Sequence, residues 1–161
     1  MKKLLLLAMP FLLIANFASA QNVGPVSFAN IAQKQVMTVD SNGNEAVELT
    51  DVGVMVPGDT VIYTSTFTNI GGQTVSNIVV NNPIPTNTKY VIFSAQGANT
   101  LVSFSIDGGA TYAAPADLTV TEASGVSRAA KPEEYTDIRW VYEADLAATE
   151  SSSVNFKVVI L

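Results

Sequence analysis

Val56-Pro57-Gly58-Asp59 opens a run that continues as Thr60-Val61-Ile62-Tyr63-Thr64-Ser65-Thr66-Phe67-Thr68 and breaks at Asn69-Ile70-Gly71-Gly72. It resumes as Val75-Ser76-Asn77-Ile78-Val79-Val80 and stops at Asn82-Pro83-Ile84-Pro85. Proline, glycine and aspartate write a turn at its start. β-Branched and aromatic residues then favour extended chain. Val61, Tyr63 and Phe67 fall on one face and Thr64, Thr66 and Thr68 on the other, the alternation of a half-buried strand. Burying a side chain such as Phe67 is worth roughly 1.5–3 kcal/mol, so a one-residue slip would forfeit several such contributions at once. Pro83 and Pro85 each lack a backbone donor and end the second extended segment. Turn, strand, turn, strand and stop predict a strand pair at the heart of an all-β domain.

Working toward the N-terminus, Ser41-Asn42-Gly43-Asn44 predicts a tight hairpin between Val36-Met37-Thr38-Val39 and the alternating arm Glu45 to Thr50. Asn-Gly suits a turn whose two central residues need positive φ. A helix over Phe28 to Gln35 is the competing reading of the preceding segment. Residues 21–25 read as a flexible leader punctuated by Gly24-Pro25.

Toward the C-terminus, Lys89-Tyr90-Val91-Ile92-Phe93 is apolar enough for a central strand, and Gly97-Ala98-Asn99 turns the chain. Val102 to Ile106 alternates, and Asp107-Gly108-Gly109 predicts a second hairpin with Thr111-Tyr112 returning. Leu118 to Thr121 is a short strand ended by Ser124-Gly125. Pro132-Glu133-Glu134-Tyr135 precedes the strand Ile138-Arg139-Trp140-Val141-Tyr142, an order similar to the tyrosine corner of Ig-like sandwiches. The only tryptophan, Trp140, is expected as a core anchor. Asp145 to Ser153 is a polar connection, and Val154 to Val158 closes the series. Seven to nine short strands at roughly 8–12-residue spacing predict an antiparallel sandwich. With no repeat and no linker, residues 21–161 read as one domain.

Lys2-Lys3, the apolar block Leu4 to Phe17 and Ala18-Ser19-Ala20 have the form of a secretory signal peptide cleaved after Ala20. The block is short for roughly 30 Å of hydrocarbon, and Pro10 interrupts it. The mature chain is therefore expected in the periplasm, at the cell surface or outside the cell, without a transmembrane segment or lipid anchor. Losing Lys2 and Lys3 takes the formal charge from −6 to −8. An acidic surface repels phosphate backbones, so nucleic acid is not an expected partner. Charged residues make up only 14% of the chain, against roughly 25% in an average globular protein.

The chain has no cysteine and no histidine. No disulfide can brace it, and neither a Ser-His-Asp arrangement nor a thiol nucleophile can be built. Zinc and haem sites of the usual ligand sets are excluded too. Carboxylates remain. Glu133 and Glu134 are adjacent and read as a solvated loop, since a glycosidase pair needs two facing carboxyls roughly 5–10 Å apart. Asp107-Gly108-Gly109 and Asp40-Ser41-Asn42-Gly43-Asn44 could offer oxygens to calcium, but the second lacks the later bidentate Glu at loop spacing. Turn chemistry accounts for both. Tyr90, Phe93, Tyr112, Trp140 and Tyr142 could form a platform for sugar, and core packing is the competing fate.

Val56-Pro57-Gly58-Asp59-Thr60 with Tyr63, Thr68-Asn69-Ile70-Gly71-Gly72, and Val79-Val80-Asn81-Asn82-Pro83-Ile84-Pro85 resemble the conserved-repeat Ig-like domain of bacterial surface proteins, a family commonly labelled a domain of unknown function. Ser103 to Gly109 and Ile138-Arg139-Trp140 look like its single-copy secreted members in Gram-negative bacteria. The likeness covers nearly all of residues 21–161. It marks Pro57, Gly58, Asp59, Tyr63, Asn69, Gly71, Gly72, Pro83, Pro85 and Trp140 as positions that build the domain. The family usually places Asp before the Pro-x-Pro, where Asn82 stands here, which weakens any metal site at that turn. The resemblance implies an exported Ig-like sandwich serving as a spacer or adhesive module, with no catalytic residues and no cofactor. The resulting expectation is a non-enzymatic structural or interaction protein, a self-assembling surface or fibre subunit, with residues 21–50 pairing onto a neighbour's edge strand. A module binding glycans or an envelope partner is the alternative.

Overall fold

The computed structural model describes residues 25–161; the expected signal peptide and residues 21–24 lie outside them. Eleven strands form antiparallel sheets: β1 (Val26–Val39), β2 (Glu45–Asp51), β3 (Thr60–Asn69), β4 (Val79–Pro83), β5 (Thr88–Tyr90), β6 (Gln96–Gly97), β7 (Thr100–Ser105), β8 (Thr119–Thr121), β9 (Ser127–Ala129), β10 (Asp137–Tyr142) and β11 (Ser151–Ile160). The first sheet has the order β2-β1-β3-β11-β5, with β6 also paired to β11. The second is β4-β10-β7, and β8-β9 is a small separate hairpin. The all-β class read from the sequence holds. The strand count exceeds seven to nine because β5, β6, β8 and β9 have only two or three residues, too few to show a period.

β3 behaves as its pattern dictates. Val61, Ser65, Phe67 and Asn69 are buried, and the intervening residues are half-buried. It lies between β1 and β11, where its threonines face outward and wet the sheet. The two sheets meet through aromatic side chains. Phe67 stands edge-on to Tyr142 with centroids 5.2 Å apart, Trp140 lies 6.1 Å from Phe156, and Tyr90 lies 5.4 Å from Phe104. Such tilted pairs add about 0.5–1.5 kcal/mol each beyond area burial. Trp140, Phe67 and Ile138 have no exposed surface, so Trp140 anchors the core as expected.

Several expectations are corrected. β3 and the segment after it are not paired: β3 belongs to the first sheet and β4 to the second. The chain leaves the first sheet at the buried corner residue Asn69. The expected strand over residues 75–80 is then broken at Asn77, whose φ is +58°. Val75 makes only an isolated bridge to Leu146, and the second strand runs from Val79 through Asn82 to Pro83. Pro83 is tolerated there because β4 is an edge strand.

Lys89 to Phe93 is not a central strand. β5 ends at Tyr90 and sits at the sheet's margin. Phe93 has φ +61° and is 91% exposed. At the Asn42-Gly43 turn only Gly43 has positive φ, at +84°. Gly43 N–H donates to the Asp40 carbonyl, and Asp40 N–H to the Asn44 carbonyl, the pattern of a three-residue hairpin loop rather than the two-residue loop expected. After Asp107 the chain returns only through a single Phe104–Ala113 bridge. Tyr135 forms no tyrosine corner. Its ring packs 4.6 Å from Phe104, and among the described residues its hydroxyl bonds no upstream backbone. The possible helix over 28–35 is strand, part of the 14-residue β1.

Candidate functional site

The Pro57-Gly58-Asp59 turn locks three strands together. Gly58, at φ +95°, donates its N–H to the Ile160 carbonyl, and the Asp59 carbonyl accepts from Ile160 N–H. The Asp59 carboxylate accepts from Val56 N–H at 2.8 Å and from Lys34 Nζ at 2.6 Å. Those donors, Lys34 foremost, hold its pKa below the ordinary value. Tyr63 stacks on Phe156, its cross-strand partner, at 5.2 Å, and burial pushes its phenol up. Gly71 lies so close to Pro25 that a Cβ would stand 2.7 Å from the proline's own Cβ. Gly72 and Pro83 are exposed, and the Pro85 carbonyl accepts from the Thr88 hydroxyl at 2.6 Å. Together these positions fix turns and corners; they do not converge on one pocket.

The oxygens considered for calcium are taken up within their own loops. Asp40 accepts from Asn42 N–H, Asn44 N–H and the Asn44 amide. Asp107 accepts from the Ser105 hydroxyl at 2.6 Å and from both the backbone and hydroxyl of Thr111. Among the described residues no three acidic side chains converge. Glu133 pairs with Lys89 at 2.8 Å, while Glu134 forms a fork with Arg128 and caps Lys131 N–H. Tyr90, Trp140 and Tyr142 are core residues. Tyr112 is half-buried with the Arg139 guanidinium 3.7 Å above its ring. The aromatic platform is therefore not assembled.

These carboxylates give a pH signature. The Ser105 and Thr111 donors take Asp107 down from 3.8 to about 2, and Arg128, then Lys131 N–H, take Glu134 from 4.5 to about 2. A depressed folded-state pKa contributes stability that is present above the unfolded value and lost as pH falls through the folded one. Thermal melts should therefore drop as pH falls from about 4.5 to about 2, and the drop should be shallower in Asp107→Asn. A variant whose melts track the parent at every pH would exclude Asp107 from that loss.

The feature without an internal explanation is the outer margin of the first sheet. β1 pairs β3 from Val26 to Gln35 but pairs β2 only from Gln33 onward. Among the described residues nothing pairs with the outer edge of β1 from Val26 to Ala32. Past Gln35 the reverse holds: β1 has lost β3 and keeps only β2, so the hairpin projects as a two-stranded arm. Met37 sits opposite Val47, with Val39 and Leu49 diagonal to them on the same face. All four are exposed, at 58%, 55%, 67% and 42%. A lone ribbon is marginal in water; the Asp40 clamp at its tip and the Lys34–Asp59 pair at its base hold this one.

Sequence reasoning located this region but not its geometry. The hairpin signal was visible, whereas the mismatch in length between β1 and its partners was not. No family model, no curated protein and no solved structure matches this chain.

Proposed function

We propose that this protein is an exported, non-enzymatic structural subunit that self-associates through the N-terminal margin of its first sheet, on an Ig-like sandwich scaffold. The observation that carries the reading is the β1 edge left unpaired, among the described residues, over Val26 to Ala32 and continuous with the apolar arm bearing Met37, Val39, Val47 and Leu49. Unpaired edge groups template the addition of another strand. An exposed apolar ribbon face is a liability in a monomer and an asset where a neighbour covers it. The leader-like first twenty residues and the resemblance to bacterial surface domains support the compartment; the hydroxyl-rich outer face of β3 suits life outside the cytoplasm.

Residues 21–161 purified from a secreting host should give oligomers or fibres that grow with concentration, read by sedimentation velocity and negative-stain electron microscopy. A single sedimenting monomer at the highest soluble concentration, with empty grids, would overturn the reading.

A further inference from the structure

The opposite margin of the same sheet carries a feature that the fold itself does not use. Between β5 and β6, both paired to β11, the chain bulges out as Val91-Ile92-Phe93-Ser94. The ladder is nevertheless continued beneath the bulge. Val91 N–H donates to the Lys157 carbonyl, and the Ser94 hydroxyl accepts from Lys157 N–H at 3.0 Å. Ser94 thus replaces a backbone partner with its side chain, and Ile92 and Phe93 are pushed clear. Ile92 is 51% exposed and Phe93 91%. A phenylalanine at φ +61° is strained, at a cost of order 1–3 kcal/mol, and nothing inside the domain is gained from it.

At the β1 margin lies a recess. β2 ends at Asp51 opposite Gln33, and Val52 then departs. This leaves a notch where β1 loses its outer neighbour, lined by Asn30, Ile31, Ala32, Gln33, Asp51 and Val52. The register sets the two features at one height. Gln33 is opposite Ile62, Ile62 is opposite Lys157, and Lys157 holds the base of the bulge. Ile31, Thr64, Asn155 and Gln96 form the next row that reaches β6, and Asn30, Ser65, Val154 and Gly97 the one after it. An apolar knob and a notch walled by Ile31, Ala32 and Val52 beside the polar Asn30, Gln33 and Asp51 thus lie at opposite margins of one sheet, level along the strands.

Resting on the self-association proposed above, we infer that the occupant of the notch is the Ile92–Phe93 bulge of a second copy, stacked side by side in the same orientation. Directions agree. Successive strands β1, β3, β11 and β5/β6 alternate, so the next copy's β1 would arrive antiparallel to β5 and β6 and extend the sheet under its own rule. The contact is head-to-tail and propagates instead of closing. The symmetric alternative, β2 edge against β2 edge centred on Glu48, would set Glu48 against its own copy and Glu45 against Asp51 of the other copy, and like charges directly opposed destabilise a sheet. β5 and β6 have only three and two residues, so the anchor is the bulge and not a long ladder.

The absence of cysteine makes the test direct. Mixing Ile31→Cys with Ile92→Cys, which keeps Phe93, under mild oxidation should give the mixed dimer, and the doubly substituted chain should give a ladder of multimers, since one copy cannot join its own opposite margins. Phe93→Asn keeps a residue that tolerates positive φ; it should melt like the parent but self-associate at least about tenfold more weakly, the loss of one buried aromatic contact. A monomeric parent would overturn this inference and the function together. A parent that assembles while Phe93→Asn assembles equally, or cross-links that join only like to like, would overturn the inference alone. Phe93 found instead to bind a glycan or an unrelated envelope protein, with assembly unaffected, would do the same.

Discussion

Trp140→Ala should lose about 3–5 kcal/mol of stability, the range for emptying a fully buried aromatic site. Trp140 has no exposed surface and lies against Phe156 from the facing sheet. β10 is held on both sides, by β4 and β7, so the backbone around the site can collapse little. With no disulfide to limit the unfolded chain, that is a large part of the 5–15 kcal/mol typical of a folded domain. Trp140→Phe separates packing from polarity. The indole Nε1–H is buried without a hydrogen-bond partner among the described residues, and an unpaired buried donor costs about 1–3 kcal/mol. Removing it offsets part of the lost volume, so Trp140→Phe should sit far closer to the parent than to Trp140→Ala in urea unfolding. Equal losses in the two variants would mean that the indole nitrogen does find an acceptor.

Asn69→Asp should be the second severe change, and the only one of the two that depends on pH. The Asn69 amide donates to the Gln73 carbonyl at 2.8 Å and the Leu146 carbonyl at 2.9 Å, and its oxygen accepts from Gly71 N–H. Its backbone joins Glu150 and Thr149, and its neighbour Ile70 donates to the Pro25 carbonyl. One fully buried side chain thus secures the turn at which the chain leaves the first sheet. Aspartate has the same shape but sets a carboxylate against two carbonyl oxygens, which should cost about 3 kcal/mol or more at pH 7. Burial and those oxygens raise the folded-state pKa above the unfolded value of about 3.9. The sign is therefore opposite to that of Asp107. The penalty should be smallest near pH 4 and grow by about 1.4 kcal/mol per pH unit until the folded pKa is passed. Unfolding midpoints of variant and parent at pH 4 and pH 7 would show it; a difference independent of pH would refute the buried-charge account.

How much of this was legible beforehand varies by residue, for physical reasons. β3 was readable because its period is carried by side chains whose burial differs strongly, Val61 and Phe67 against Thr64 and Thr66. Trp140 was readable because a large apolar ring in a β-branched strand has few other places to go. Asn69 was marked as a position that builds the domain, yet its three side-chain bonds run to Gly71, Gln73 and Leu146, the last far along the chain. β5 was misjudged because Val91-Ile92-Phe93 is apolar and β-prone, while the Ser94 hydroxyl supplies the alternative ladder that lets the bulge form. The open margin was invisible, since it is a difference between the lengths of β1, β2 and β3 once paired.

By itself the sequence determined the class and the excluded chemistry. Alternating β-branched and aromatic residues between glycine, proline and asparagine turns make antiparallel sheets, and a chain without cysteine or histidine cannot host thiol or imidazole chemistry. Those are local properties, set by side-chain period and functional-group inventory. Only the tertiary structure decided that β3 and β4 part into different sheets, that β1 outruns both of its neighbours, and that the Ile92–Phe93 bulge stands out at the height of Gln33, on the rim of the notch. Pairing and register join residues distant along the chain, and their free energy comes from the combination rather than from any one segment.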